Sequence, residues 1–227
     1  MTTLLIATRN AHKVEEIGAI LGNSFQLLTL GDFRGAPKVA EDADTFAGNA
    51  TKKAVELAKW LAQIPNAELR IPNFVLADDS GLEVDALGGE PGVHSARFAA
   101  TDKKENSSDA ENNFKLLHVL KNIPAEKRTA RFRCMIALTP ILPEKIEGTS
   151  PVCYADESEL QAQLFKGVCE GKIIFEPRGK NGFGYDPLFV PDGFEQTFAE
   201  LGDETKNKLS HRAKALEKLK EFFLPAA

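Results

Sequence analysis

Residues 74–85 read Phe-Val-Leu-Ala-Asp-Asp-Ser-Gly-Leu-Glu-Val-Asp, and they constrain this chain more than any other stretch. The apolar run from Phe74 to Ala77 predicts a buried strand. It ends in two carboxylates, a hydroxyl and a glycine. In open α/β sheets, ligands sit outside strand ends, where polar groups converge without breaking the core. Side chains alternate along a strand, so Asp78 and Asp79 should face opposite ways. One can hold a metal or activate water while the other braces the turn. The plainer alternative is an Asx-capped turn, since Asp-Asp-Ser-Gly suits a turn anywhere.

The rest of the chain has to supply partners for those carboxylates. With 227 residues, 43% hydrophobic and 27% charged, it is an ordinary globular sequence with ample core. Its net charge of -5 offers no global field for nucleic acid, so a polyanion needs a local basic pocket or a metal ion. No apolar run approaches the roughly 20 residues that span a membrane. The start, Met1-Thr2-Thr3-Leu4, lacks the basic and long apolar pattern of a secretory leader. Cys134, Cys153 and Cys169 share no metal-type spacing. Reduced thiols and a cytoplasmic location are the expectation. No repeat, low-complexity segment or linker interrupts the chain, which reads as one domain over 1–227.

Thr3 to Thr8 predicts a first strand. Val14, Ile17, Ile20 and Leu21 then recur at helical spacing, with Glu15 and Glu16 on the other face. Asn10 suits the N-cap. A strand feeding a helix through a polar turn leaves free N–H groups that favour an anion, and Lys13 adds a positive charge one turn in. A capped helix with a solvated lysine is the bland reading. Phe25 to Leu30 predicts a second strand. The acidic cluster Glu41-Asp42-Ala43-Asp44 precedes Thr45, a good N-cap for a helix to about Ile64. Asn49 and Lys53, four apart, share a face of that helix.

Beyond Asp85, Leu87 to Phe98 forms a constrained loop with glycines and a proline. Thr101 to Ala110 is polar. Glu111 to Leu120 is amphipathic, with Phe114, Leu117 and Leu120 on one side. Arg128 to Leu138 suits a strand entering the core, and Pro140 to Ser158 a loop. Gln161 to Phe175 predicts one or two strands bent around Gly167 and Gly171. Glu176 to Pro187 is glycine-rich yet carries Phe183 and Tyr185, unlike a linker, and lacks phosphate-loop spacing. A last helix runs from about Asp203 to Phe223, with Ser210-His211-Arg212 in its first half. His12, His94 and His118 read as structural or surface groups.

Six stretches together resemble the inosine triphosphate pyrophosphatase family of non-canonical purine NTP pyrophosphatases. They are Thr8 to Lys13; Thr45-Phe46 with Asn49-Ala50 and Lys53-Ala54; Ala77 to Leu82; Leu87 to Gly92 with Ser95-Ala96-Arg97; Gly182 to Pro187; and Ser210 to Arg212. They occur in the family's order over nearly the whole chain. The resemblance implies an elongated α/β fold, with a central mixed twisted sheet flanked by helices and two lobes around a nucleotide cleft. It also implies a homodimer, Mg²⁺, no nucleic-acid or membrane partner, and hydrolysis of ITP, dITP and XTP to the monophosphate and pyrophosphate.

Carried over by position, Thr8, Asn10 and Lys13 match the phosphate-binding turn, and Lys53 a lysine that approaches the phosphates. Asp79 matches the metal ligand and proton acceptor, and Ser80 its substrate-contacting neighbour. Phe183, Gly184, Tyr185 and Asp186 match the nucleotide loop, and Lys206, His211 and Arg212 the purine-binding end. Departures from the pattern are Arg9 and Gly48, an altered acidic stretch before Thr45, and the long 140–158 loop. Among those acids Glu41, ahead of Asp42, supplies the second metal carboxylate.

The chemistry asks for these residue types. Water attacking the α-phosphorus must approach crowded negative charge. Hard oxygen ligands such as Asp79 and Glu41 suit Mg²⁺. Asp79 is expected to accept the water's proton without a large pKa shift. Arg212, with donors only, suits a 6-keto purine, and Phe183 suits stacking on the base. The rivals are a pyrophosphatase for other modified NTPs and a non-catalytic nucleotide-binding protein.

Overall fold

In the computed structural model, residues 1–64, 72–101, 105–141 and 162–224 are described. The elements are β1 (Thr3–Ile6), α1 (Ala11–Leu21), β2 (Gln26–Thr29), α2 (Phe46–Ala62), β3 (Phe74–Val84), α3 (Asp109–Val119), β4 (Thr129–Pro140), β5 (Gln163–Ile173), β6 (Phe189–Pro191), α4 (Phe198–Leu209) and α5 (His211–Phe222). The strands form one six-stranded sheet in the order β2-β1-β3-β4-β5-β6. β1 pairs parallel with both β2 and β3, and the other pairings are antiparallel. This is the expected mixed α/β sheet.

The period-two alternation of β3 sorts its side chains onto two cores. Leu76 packs with Leu4, Ile17, Leu216 and Leu219, under α1 and α5. Val75 and Ala77 pack with Ala54, Leu57 and Leu61 of α2 on the opposite face. Farther along the same strand, Leu82 and Val84 belong to a third cluster with Leu116, Tyr185, Phe189 and Phe198. Each fully buried leucine contributes roughly 1.5–3 kcal/mol. Asp78 to Gly81 therefore sit where the first two clusters give way to the third.

Here the structure corrects the expected turn. β3 is a single strand of 11 residues that runs straight through Asp78-Asp79-Ser80-Gly81. β4 explains why, because it pairs with β3 at every residue from Phe74 to Val84 and satisfies the backbone where a turn would have ended it.

Other expectations change for similar reasons. Gln163 to Ile173 is one strand, not a bent pair. Gly167 marks close approach instead of a bend: a Cβ there would lie 1.9 Å from His211 O and 2.7 Å from Ala215 N, so α5 presses its backbone onto β5. The C-terminal helix is two helices. Ser210 ends α4 and caps α5, its side chain accepting from Ala213 N. His211 and Arg212 thus open α5 and do not lie mid-helix. On α3 the buried positions are Asn112 and Leu116, while Phe114 is exposed. Glu16, expected on the solvated face of α1, is buried. The loop expected over 140–158 lies outside the described residues from 142 onward, as do 102–104 of the polar stretch after Thr101.

Candidate active site

β3 delivers two carboxylates to two faces, and each meets different company. On the α1/α5 face, Asp78 is fully buried among donors. Lys13 pairs with Asp78 Oδ1, and Arg212 Nε donates to Oδ2 at 3.1 Å. Ser80 Oγ adds 3.1 Å to Oδ1, and the Cys134 thiol lies 3.1 Å from Oδ2. Burial works against the Asp78 charge, but the Arg212 and Lys13 cations overcome it and hold the carboxyl well below its usual range.

On the α2 face, Asp79 is only 6% exposed, and its Oδ2 has no hydrogen-bond partner. Burial raises its pKa to about 6 against the pull of Lys53 and Lys13. This carboxylate is desolvated more than it is paired. Lys53, one side of α2, donates to Asp78 O at 2.6 Å and Glu41 Oε1 at 2.8 Å, and lies 3.8 Å from Asp79 Oδ1. It gathers the two acids. The acidic segment is fastened from both sides: Ala43 N donates to Asn49 Oδ1 at 2.9 Å, and Arg97 Nη2 donates to Glu41 O at 3.0 Å.

This arrangement suits a hard divalent cation. Glu41 and Asp79 converge on one ammonium, and one Asp79 oxygen is an orphaned buried acceptor. Among the described residues no three His, Cys, Asp or Glu side chains form a complete cage. Mg²⁺ is commonly held by only one or two carboxylates, with water and phosphate completing its shell, so the donor set fits.

The turn expected to bind phosphate, Thr8 to Lys13, reaches β3 through the Lys13–Asp78 pair. Asn10 caps α1 by accepting from Lys13 N at 3.2 Å, and Thr8 Oγ1 accepts from Asn10 N at 3.2 Å. The first turn of α1 holds no acidic residue, which leaves its positive end available to an anion.

The residues expected at the purine-binding end form a buried ion network. Lys206 Nζ lies 2.5 Å from both Glu16 Oε1 and Asp186 Oδ2. Arg212 pairs with Glu16 Oε2 as well as Asp78, and its Nη2 donates to Ser80 Oγ at 2.9 Å. Arg212 carries five N–H groups, and these contacts engage all three of its nitrogens. Asp186 in turn accepts from Phe183 N at 2.9 Å, which the close approach at Gly182 permits. Phe183 lies 4.6 Å from Lys206 Nζ and stacks on His12 with centroids 5.3 Å apart.

Two predicted site residues are placed differently. Tyr185 is buried, with its hydroxyl donating to Ser95 O at 2.8 Å; burial raises its pKa. It braces the loop and contributes backbone, not a free phenol. His211 is buried and stacks on Phe132 at 4.8 Å; burial and the neighbouring Arg212 and Lys206 hold it well below the usual histidine range, hence neutral. Sequence reasoning missed Glu16, Arg97 and His12. Glu16 carried no local signal, because its partners Lys206 and Arg212 lie far along the chain.

The Ham1 family model matches residues 4–222. The chain belongs to the Ham1 family. A Ham1-family relative from Geobacter sulfurreducens, a dITP/XTP pyrophosphatase, is 46% identical over 97% of this chain and 96% of its own. Another, the dITP/XTP pyrophosphatase of Desulforamulus reducens, is 44% identical over 96% of this chain and 94% of its own. The solved HAM1 protein from Coxiella burnetii is similar across 100% of both chains, with a TM-score of 0.76 at 35% identity. Among the described residues no helix is long and apolar enough to cross a membrane.

Proposed function

We propose that this chain is a Mg²⁺-dependent nucleoside triphosphate pyrophosphatase. It hydrolyses ITP, dITP and XTP to the monophosphate and pyrophosphate, and so cleanses the nucleotide pool. One observation carries the reading: adjacent residues of β3 aim a desolvated carboxylate at Glu41 and Lys53 and a paired one at Lys13 and Arg212. Acid-rich and cation-rich surroundings then flank a single backbone, as cleavage of a charged phosphoanhydride requires.

Lys13, Asn10 and the start of α1 hold the triphosphate. Asp79 and Glu41 would hold Mg²⁺, which when bound screens phosphate charge and polarises the attacking water. Asp79 accepts the proton of that polarised water. Lys206 and Arg212 present only donors, which suits a 6-keto purine. An adenine amino group would leave a buried donor unpaired, at a cost of about 1–3 kcal/mol. The whole chain acts as one unit, supported by a single sheet that collects strands from Thr3 to Pro191. We place it in the cytoplasm, where such substrates arise, as a homodimer; exposed Phe114 and Leu164 offer apolar contacts. A monomer mass by light scattering would overturn the dimer.

The test incubates purified protein with ITP and GTP, with Mg²⁺ or EDTA, and resolves products by ion exchange. IMP plus pyrophosphate, little from GTP and none in EDTA is expected; IDP plus phosphate would overturn the cleavage site. Water labelled with heavy oxygen should label the monophosphate, and label in pyrophosphate would overturn attack at the α-phosphorus.

A further inference from the structure

The purine-end loop is held from a direction the reaction does not require. Two side chains of α3 grip one residue of that loop through the peptide groups on either side of it. Gly184 N donates to Asp109 Oδ2 at 2.6 Å, and Asn113 Nδ2 donates to Gly184 O at 2.9 Å. Asp109 and Asn113 are four residues apart, so they share one face of α3. Both polar atoms of the glycine residue are thereby fixed by one rigid element. The neighbouring Phe183 N is fixed by Asp186, and the Tyr185 hydroxyl by Ser95 O. Three consecutive residues of the loop are thus fastened, Gly184 by α3, Tyr185 by Ser95 and Phe183 by the loop's own Asp186.

α3 is itself well anchored. At its C-terminal end the buried Arg128 donates from Nη2 to Leu120 O at 2.6 Å and from Nε to Ile123 O at 2.9 Å. Near its start, Asn112 Oδ1 accepts from Ala99 N at 2.8 Å, and Asn112 Nδ2 donates to Ala96 O at 3.2 Å. A clamp transmits position only if it cannot move, and α3 meets that condition.

Resting on the activity proposed above, we propose that Asp109 and Asn113 are positioning residues for base recognition: they hold the Gly184 backbone on both sides so that Phe183 presents its ring to the purine. Neither touches the substrate. The rival reading is that they merely dock α3 on the sheet. The two differ in what they affect. Asp109 is exposed, so its loss should alter overall stability little while freeing the loop.

The experiment compares Asp109→Ala, Asp109→Asn, Asn113→Ala and Asn113→Asp with wild type. Asp109→Ala and Asn113→Ala should each raise KM for ITP roughly tenfold, the size of one lost positioning hydrogen bond, with kcat within about twofold. The ITP-over-GTP preference should narrow in parallel. Asp109→Asn keeps an acceptor oxygen and restores KM. Asn113→Asp sets an acceptor against Gly184 O and should do at least as much harm as Asn113→Ala. Hydrogen exchange at the Gly184 amide, measured without nucleotide, should accelerate in Asp109→Ala and recover in Asp109→Asn. Unchanged KM in both alanine variants, or equal KM for Asp109→Ala and Asp109→Asn, would overturn the proposal. So would unchanged Gly184 exchange. Wild type failing to turn over ITP would instead overturn the activity, while the exchange result still judges the clamp.

Discussion

Arg212 Nε donates to Asp78 Oδ2 at 3.1 Å, with the two side chains 1% and 0% exposed. Lys13 shares the same carboxylate. Removing the Asp78 charge takes away the counter-ion of Lys13 and one of the two that neutralise the buried Arg212, so Asp78→Asn should lose about 3–5 kcal/mol in urea unfolding. The folded pKa is depressed, so the wild-type advantage is complete above the unfolded value of about 4 and shrinks as pH falls through the folded one.

Asp79→Asn should behave oppositely. Its folded pKa of about 6 lies above the unfolded value, so its charge costs stability once pH rises from about 4 through 6. In EDTA the variant should match wild type near pH 4 and exceed it by up to about 3 kcal/mol above pH 6. Turnover should fall at least a hundredfold. A stability gain accompanied by lost activity, from the residue next to one that does the reverse, separates the two roles in one pair of denaturation curves.

Mg²⁺ without nucleotide should raise the unfolding temperature of wild type at neutral pH, by linkage. Glu41→Gln should show a smaller rise and Asp79→Asn none. A thermal-shift titration reads this directly, and an undiminished rise in Asp79→Asn would remove it from the metal site.

Gly167→Ala should be among the most damaging single-methyl additions. Its Cβ would meet His211 O at 1.9 Å, a backbone atom that cannot swing aside. Overpacking of this kind costs about 1–3 kcal/mol or more, and displacing the start of α5 also shifts Arg212. Calorimetry should record a lower unfolding temperature, and kinetics a raised KM for ITP.

Much of this was legible in local pattern. Two helix starts announced themselves by their caps, and Asn10 and Thr45 both accept hydrogen bonds as caps do. The opposed facing of Asp78 and Asp79 followed from alternation. What was not legible depends on partners distant in sequence. Asp-Asp-Ser-Gly reads as a turn until β4 supplies its backbone bonds. Gly167 reads as a bend until α5 is seen lying on it. Glu16 reads as solvated until Lys206 and Arg212, some 190 residues on, arrive to neutralise it. Of the site itself, the residue types were readable from motif, but which cations were already committed to protein acids was not.

The straight passage of β3 through the site has a further consequence. Insertions or deletions of one residue between Leu76 and Leu82 would exchange the two carboxylates between faces, handing Asp79's position to a neighbour and stranding Arg212. Spacing along this stretch is therefore restrained as well as identity. Serine could replace glycine somewhere in a loop, but no length change within these residues leaves a working arrangement. Variation in length among functional relatives should fall outside them, in segments such as the one after Pro140.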